Sequence, residues 1–313
     1  MHLKAGGLWR EEDGAVAEDE SSPVAELSKS LGRQKLYREV TLALRSGLRD
    51  ACADLSFLRL RALRNLLKFL RSVSESDPAI RLFQQSQSST DLQVVPVLYE
   101  HTLAKPKEVH VPDLDHIYSV EPLQITSPAT DGEVALALRV LEGCCILHKE
   151  SRNLAHKHGG VKVLLNILST RGVLEQGACL DAIVSLMLES PANQMDFEAG
   201  HGIHKVAELI KDTQVNENIR LKCGEFLLLL VGHVLPSASR HSAAMFDGHN
   251  GRDKHPLASA EEDLRHLLGE KCASLIWAAS QFGSTLDLEQ RQTALQIHAS
   301  RVLNSLELYS EWD

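Results

Sequence analysis

The sequence predicts an all-α protein, an α-solenoid of stacked helical units, and three observations predict it. The apolar content is mostly Leu, Ala and Val, which favour helices, whereas aromatics make up only 4% of the 313 residues, too few for the strands of a sandwich or barrel. Apolar residues recur at spacings of three and four over long stretches, the period of a helix with one buried face. From Asp131 onward the pattern repeats at an interval of 42 or 43 positions. A helical unit of roughly 40–47 residues marks the armadillo/HEAT class, in which neighbouring units bury each other's apolar faces in a right-handed superhelix.

The elements follow in chain order. Residues 1–32 carry Glu11, Glu12, Asp13, Glu18, Asp19 and Glu20 among small residues and read as a flexible acidic arm. Residues 33–103 read as a helical hairpin and a first repeat. From Gln34 to Val73, Val40, Leu44, Leu48, Ala51 and Leu55 define one stripe, and Leu58, Ala62, Leu66, Phe69 and Val73 define the next. Ser56 or Asp54 is the expected cap of the second helix, which ends at Ser74–Pro78. A short helix with Pro78 near its start spans Asp77–Ser88, and residues 91–103 form another that Pro96 limits or kinks. Residues 104–130 hold Pro106, Pro112, Pro122 and Pro128 and read as a crossover loop.

Residues 131–235 contain the repeats. Leu138, Leu180 and Cys223 correspond, as do Leu141, Ile183 and Phe226, and Cys145, Met187 and Leu230. Between them GVKVLLNIL (160–168) and GIHKVAELI (202–210) match at an offset of 42, each preceded by a polar turn, SRNLAHKHG and ANQMDFEAGHG. Residues 236–261, rich in Ser, His and Gly, read as a disordered insertion. Residues 262–313 hold two capping helices, about 262–281 and about 286–308.

Composition narrows the function. Lys and Arg number 33 against 42 Asp and Glu, a net charge of −9, which argues against a dedicated nucleic-acid binder. The longest apolar stretch, Phe226–Val231, is far below the ~20 residues that span a bilayer, and no secretory signal is expected at the N-terminus. The six cysteines form no C-x-x-C pair and read as reduced, buried thiols of a cytosolic protein. His156 and His158, or His201 and His204, lack the cysteines or carboxylates that would complete a metal site. In CCILHKESR (144–152), Cys145 and Arg152 are separated by six residues without loop glycines, unlike a cysteine-based phosphatase loop. No phosphate loop and no catalytic constellation stands out, so neither catalysis nor a cofactor is expected.

One charged pattern is a candidate partner-binding surface. Arg38, Arg45 and Arg49 are spaced seven and four, and Arg61, Arg64, Lys68 and Arg71 are spaced three, four and three, so each set lines one helix face. Guanidinium forks suit carboxylates and phosphates, which makes an acidic or phosphorylated partner the functional reading. The alternative is a solvated face, or one paired with the acidic arm.

The stretch LYREVTLALRSGLRDACADLSFLRLRALRNLLKFLRSVSESD (36–77), with LQVVPVLYEHTL (92–103), resembles the plant branch of the cell division control protein 14 family, the septation initiation network component. LRVLEGCCILHKESRNLAHKHGGVKVLLNIL, LDAIVSLMLESPANQMDFEAGHGIHKVAELI and IRLKCGEFLLLLV resemble that family's armadillo-like core, so the likeness covers roughly residues 35–235 and part of the C-terminal helices. The similarly named dual-specificity phosphatase is a different family. The resemblance implies a non-catalytic adaptor or scaffold whose protein partner is a germinal-centre-type protein kinase. It also implies a cytoplasmic location at mitotic or microtubule-organising structures. The alternatives are a general armadillo-type interaction or cytoskeleton-associated protein, and a nuclear-transport-type peptide receptor. The last is disfavoured, because Arg139, Asp181 and Gly224 stand where a peptide clamp carries Trp, and Gly143, Ser185 and Leu228 where it carries Asn.

Overall fold

A computed structural model describes residues 23–103, 127–234, 260–280 and 287–310. The acidic run Glu11–Glu20, nearly all of the crossover loop and nearly all of the 236–261 insertion lie outside the described residues. Among the described residues there are fourteen α-helices and no strand, so the protein is all-α.

The chain divides into two units, Met1–Glu39 and Val40–Asp313. The described part of the first is the beginning of α1 (Pro23–Ala51), where Val24 and residues 26–39 are exposed apart from the half-buried Leu36, with a long Lys35–Glu39 ion pair at 3.9 Å. Here the structure corrects the expected start near Gln34. Pro23 is pre-set for a first helical turn, and Glu26 in that turn suits the positive end of the helix dipole. The apolar periodicity detects only the buried part of α1, which begins at Val40.

In the second unit, Val40, Leu44, Leu48 and Ala51 of α1 are buried, as are Ala62, Leu63, Leu66, Leu70 and Val73 of α2 (Ser56–Ser74). Gly47 permits the close approach, since a Cβ there would stand 2.6 Å from Leu66 Cδ2. The expected cap of α2 is also corrected. Leu55 occupies the N-cap position and makes no side-chain bond, while the Ser56 N–H donates across the fold to Ser127 Oγ at 2.7 Å. Next come α3 (Asp77–Ser86), where Phe83 meets Phe69 edge-on, and α4 (Val94–Leu98). Pro96 lies in the first turn of α4, where a missing N–H costs little, and α4 runs on into a π-turn over Tyr99–Leu103.

The repeats supply α5 (Asp131–Leu147), α6 (Glu150–Lys157), α7 (Gly160–Thr170), α8 (Val173–Met187), α9 (Pro191–Ala199), α10 (Gly202–Lys211) and α11 (Glu217–Leu229). The two segments read as polar turns are therefore helices, α6 and α9. They bury polar side chains, Ser151 and Arg152 in α6 and Asn193 and Gln194 in α9, so no apolar stripe announced them. At the C-terminal end the single helix expected over 262–281 is two, α12 (Ala260–Leu268) and α13 (Glu270–Ser280). The break is Gly269, whose φ of 84° is left-handed and open to glycine at little cost. The last helix is α14 (Leu288–Ser310).

The long helices pack in sequence order: α2 on α5, α5 on α8, α8 on α11 and α11 on α14, with α7 against α8 and α10 against α11. The three sets of corresponding residues, from Leu138 through Leu230, are all buried. The correspondence reaches the polar groups. Arg152 donates to the Cys145 carbonyl at 3.1 Å, and 42 positions on Gln194 donates to the Met187 carbonyl at 2.8 Å. Gly159 and His201, also 42 apart, both precede their helices in the left-handed conformation, at φ 63° and 53°.

Glu133 and Glu175 are a further equivalent pair, both buried in a first turn but in different company. Burial first, and then the facing Asp131 carboxylate, raise the Glu175 carboxyl above its usual range, against the pull of Arg171. Its Oε1 is buried without a partner. The folded protein therefore holds a proton there more tightly than the unfolded chain. This contribution is full at pH values below the ordinary glutamate range and is lost as pH rises through the elevated value. Glu175→Gln, neutral at every pH, is expected to melt about 2 °C higher than wild type near neutrality, with the gap closing as pH falls. Melting curves across that range check it, and a gap that widens in acid contradicts it.

Candidate functional site

In the hairpin, Arg61, Arg64, Lys68 and Arg71 are exposed on the side of α2 opposite Ala62, Leu66, Leu70 and Val73. Arg45 and Arg49 are exposed on α1, at helical spacing with the exposed Leu42, and Phe57 is exposed beside the α2 stripe. Arg38 is exposed and belongs to the first unit. Asp50 divides the predicted set. Arg49 donates to one of its carboxylate oxygens at 3.1 Å and Arg61 to the other at 3.0 Å. The bonds from Arg61 and then Arg49 hold the Asp50 carboxyl below its usual range. Among the described residues, Arg38, Arg45, Arg64, Lys68 and Arg71 make no ion pair, so the cationic face free for a partner in the second unit is Arg45, Arg64, Lys68 and Arg71.

Sequence reasoning missed Arg59, which lies within the same basic run but points into the protein. Its guanidinium donates to Glu133 Oε1 at 2.9 Å, to the carbonyls of Ala53 and Asp54 at 3.1 and 2.7 Å, and to those of Ser127 and Pro128 at 2.7 and 3.3 Å. Glu133 in turn accepts from Ser56 Oγ and from Thr130, with which it forms the capping box of α5. The signal was available: Arg59 stands three, four and seven positions before Ala62, Leu63 and Leu66, on the apolar face.

A second missed feature is a charged ladder across the long helices. Arg139 of α5 pairs with Asp181 of α8 at 3.0 Å, and Asp181 pairs with Lys222 of α11 at 2.9 Å, with Glu142 and Glu225 alongside. Burial opposes the charge on Lys222, but Asp181 and then Glu225 carry its ammonium above the usual range. The 42-residue offset of Arg139 and Asp181 was the signal. Arg139 and Asp181 stand at the position where a peptide clamp would carry Trp, and the ladder's charges largely neutralise one another.

The other chemical candidates have structural partners. His201, His204 and His266 line a cleft of about 180 Å³ with Glu198 and Asp263, between α10 and α12. Among the described residues no group of three or more His, Cys, Asp or Glu side chains is arranged to hold a metal ion. His156 Nδ1 lies 2.7 Å from Asp196, and His204 Nδ1 lies 3.3 Å from Glu208. Cys144, Cys145, Cys179, Cys223 and Cys272 are buried and unpaired, while Cys52 is exposed. Burial pushes the Cys145 thiol up to about 12, against the influence of Arg152, so it carries almost no thiolate at neutral pH. Arg152 braces the Cys145 carbonyl and the Leu188 carbonyl rather than an anion-binding turn. Among the described residues no helix is long and apolar enough to cross a membrane.

Two engineered proteins of known crystal structure resemble this chain, each at 14% identity. One has a TM-score of 0.46, covering 84% of this chain and 98% of that one, and the other a TM-score of 0.37, covering 84% and 96%. No curated protein matches the sequence. The family described as cell division control protein 14, SIN component, matches residues 114–305, a range that holds α5 through α13 and most of α14. Since that match spans more than half of the 313 residues, the chain belongs to the cell division control protein 14 family of SIN components.

Proposed function

We propose that the protein is a non-catalytic adaptor of cell-division signalling, acting in septation or cytokinesis, that captures an acidic or phosphorylated protein on its N-terminal hairpin. The observation that carries the reading is the unpaired cationic face of Arg45, Arg64, Lys68 and Arg71, with exposed Leu42 and Phe57, in a chain of net charge −9. The partner class is a germinal-centre-type protein kinase, as the resemblance implies, and the chain is a plant-type family member. It works in the cytoplasm, at mitotic or microtubule-organising structures. The helices that carry the face form an armadillo-like, right-handed superhelix: a hairpin and first repeat over 33–103, repeats over 131–235 and a cap over 262–313. The three-helix succession of α6, α7 and α8, recurring as α9, α10 and α11, supports that architecture, as do hydrogen bonds repeated at 42 residues.

Single exposed ion pairs each contribute only about 0–1 kcal/mol, so the face works as a group. Combined Arg64→Glu, Lys68→Glu and Arg71→Glu is expected to weaken capture of such a kinase by about tenfold or more, with an unchanged helical circular dichroism spectrum. Wild-type capture is expected to fall as salt rises from about 50 to 300 mM. Capture indifferent to both the charge reversal and the salt would remove this surface from consideration.

A further inference from the structure

We propose that Ser127 is a phosphorylation site for a proline-directed protein kinase, and that its phosphate holds residues 127–130 off the start of α2. Ser127 is followed by Pro128, the residue such kinases require after the acceptor. It lies in a half-buried, non-helical segment with Pro128 and Thr130 exposed. The other described Ser-Pro pair differs in both respects. Ser190 is 4% exposed, its hydroxyl accepts from Asn193 at 2.9 Å, and Pro191 is already inside α9.

The Ser127 hydroxyl is the pin of a latch. Its Oγ accepts from the Ser56 N–H at 2.7 Å and donates to the Asp54 carbonyl at 3.1 Å. The Ser127 N–H donates to that same carbonyl, and its own carbonyl receives Arg59 at 2.7 Å. In the kinase reaction, Oγ bonds to the γ-phosphorus of Mg·ATP, the bond from that phosphorus to ADP breaks, and the hydroxyl proton passes to the kinase's base. The ester oxygen has no proton to give Asp54. The added dianion stands close to Glu133, which accepts from Ser56 Oγ at 2.9 Å, and like charge at close range is disruptive. Arg59 has no N–H left to give the phosphate, because its donors are already engaged by Glu133 and by four backbone carbonyls. The kinase acts on the briefly opened latch, and the product does not close again.

The test uses the full chain carrying Ser22→Ala, which removes the Ser-Pro pair at 22–23, treated with a purified proline-directed kinase and Mg·ATP and mapped by mass spectrometry. Close to one phosphate at Ser127 and none at Ser190 is expected. The phosphorylated protein is expected to lose about tenfold or more of its hydrogen-exchange protection over 53–59 and 127–133 and to melt at least about 3 °C lower. Pro128→Ala keeps the hydroxyl and its latch, so it should melt like its parent and take no label. Failure to label Ser127 in the native chain, while a peptide spanning it is labelled, overturns the site. Stoichiometric label with unchanged protection or a higher melting temperature overturns the latch.

Discussion

Glu133→Ala is expected to destabilise the protein by about 3–5 kcal/mol, and Arg59→Ala by a similar amount, because each leaves a buried charge without its partner. The Arg59 and Glu133 side chains are 5% and 0% exposed, in that order, and meet at 2.9 Å. Loss of Glu133 also opens the Thr130 capping box and frees the Ser56 hydroxyl, so the start of α5 and the start of α2 loosen together. Loss of Arg59 leaves the carbonyls of Ala53, Asp54, Ser127 and Pro128 short of a donor. The two substitutions report on one interaction, so the double change Arg59→Ala with Glu133→Ala should cost clearly less than the sum of the two single changes. Urea denaturation measures this through shifts in midpoint at unchanged slope. Single changes costing under about 1 kcal/mol each, and adding without coupling, would mean that the pair is solvated and the hub is not what joins α2 to α5.

The Arg59 hub also shows where sequence reading reaches and where it stops. Repetition is legible at long range because packing equivalence forces chemical equivalence, and Leu141, Ile183 and Phe226 are buried as their register implies. Short helices escaped when their buried side chains are polar: α6 and α9 close on backbone carbonyls through Arg152, Asn193 and Gln194, which gives no apolar period to detect. The start of α1 escaped for the opposite reason, since local propensity continues the helix where burial has ended. The basic stripes were readable from spacing alone. That Arg49 and Arg61 converge on Asp50 was not, because it depends on the path of the turn between α1 and α2. Arg59 could have been separated from its neighbours, since only its position among the arginines of α2 coincides with the apolar face.

Ile183→Asp is expected to abolish cooperative folding of the repeats. Ile183 is fully buried in α8, whose neighbours α5 and α11 present the equivalent residues Leu141 and Phe226. An ionised carboxylate placed there would be taken out of water, and the charged ladder of Arg139, Asp181 and Lys222 on the same helices is closed on itself. The acid would instead be taken up protonated, at a cost of several kcal/mol, to which the lost apolar contacts add. That sum is comparable with the ~5–15 kcal/mol stability of a typical domain. Because α8 lies between α5 and α11, its failure removes a packing partner from both, so the thermal transition should broaden or vanish rather than shift by a few degrees. Two controls isolate burial from helix propensity. Ile183→Val removes one methylene and should cost about 0.5–1.5 kcal/mol. Leu174→Asp changes a residue that is 62% exposed in the first turn of the same helix, where an acid suits the dipole, and should stay within about 0.5 kcal/mol of wild type. If Ile183→Asp melted like Leu174→Asp, the face assigned to α8 would be wrong. The 42-residue register would then no longer describe the core.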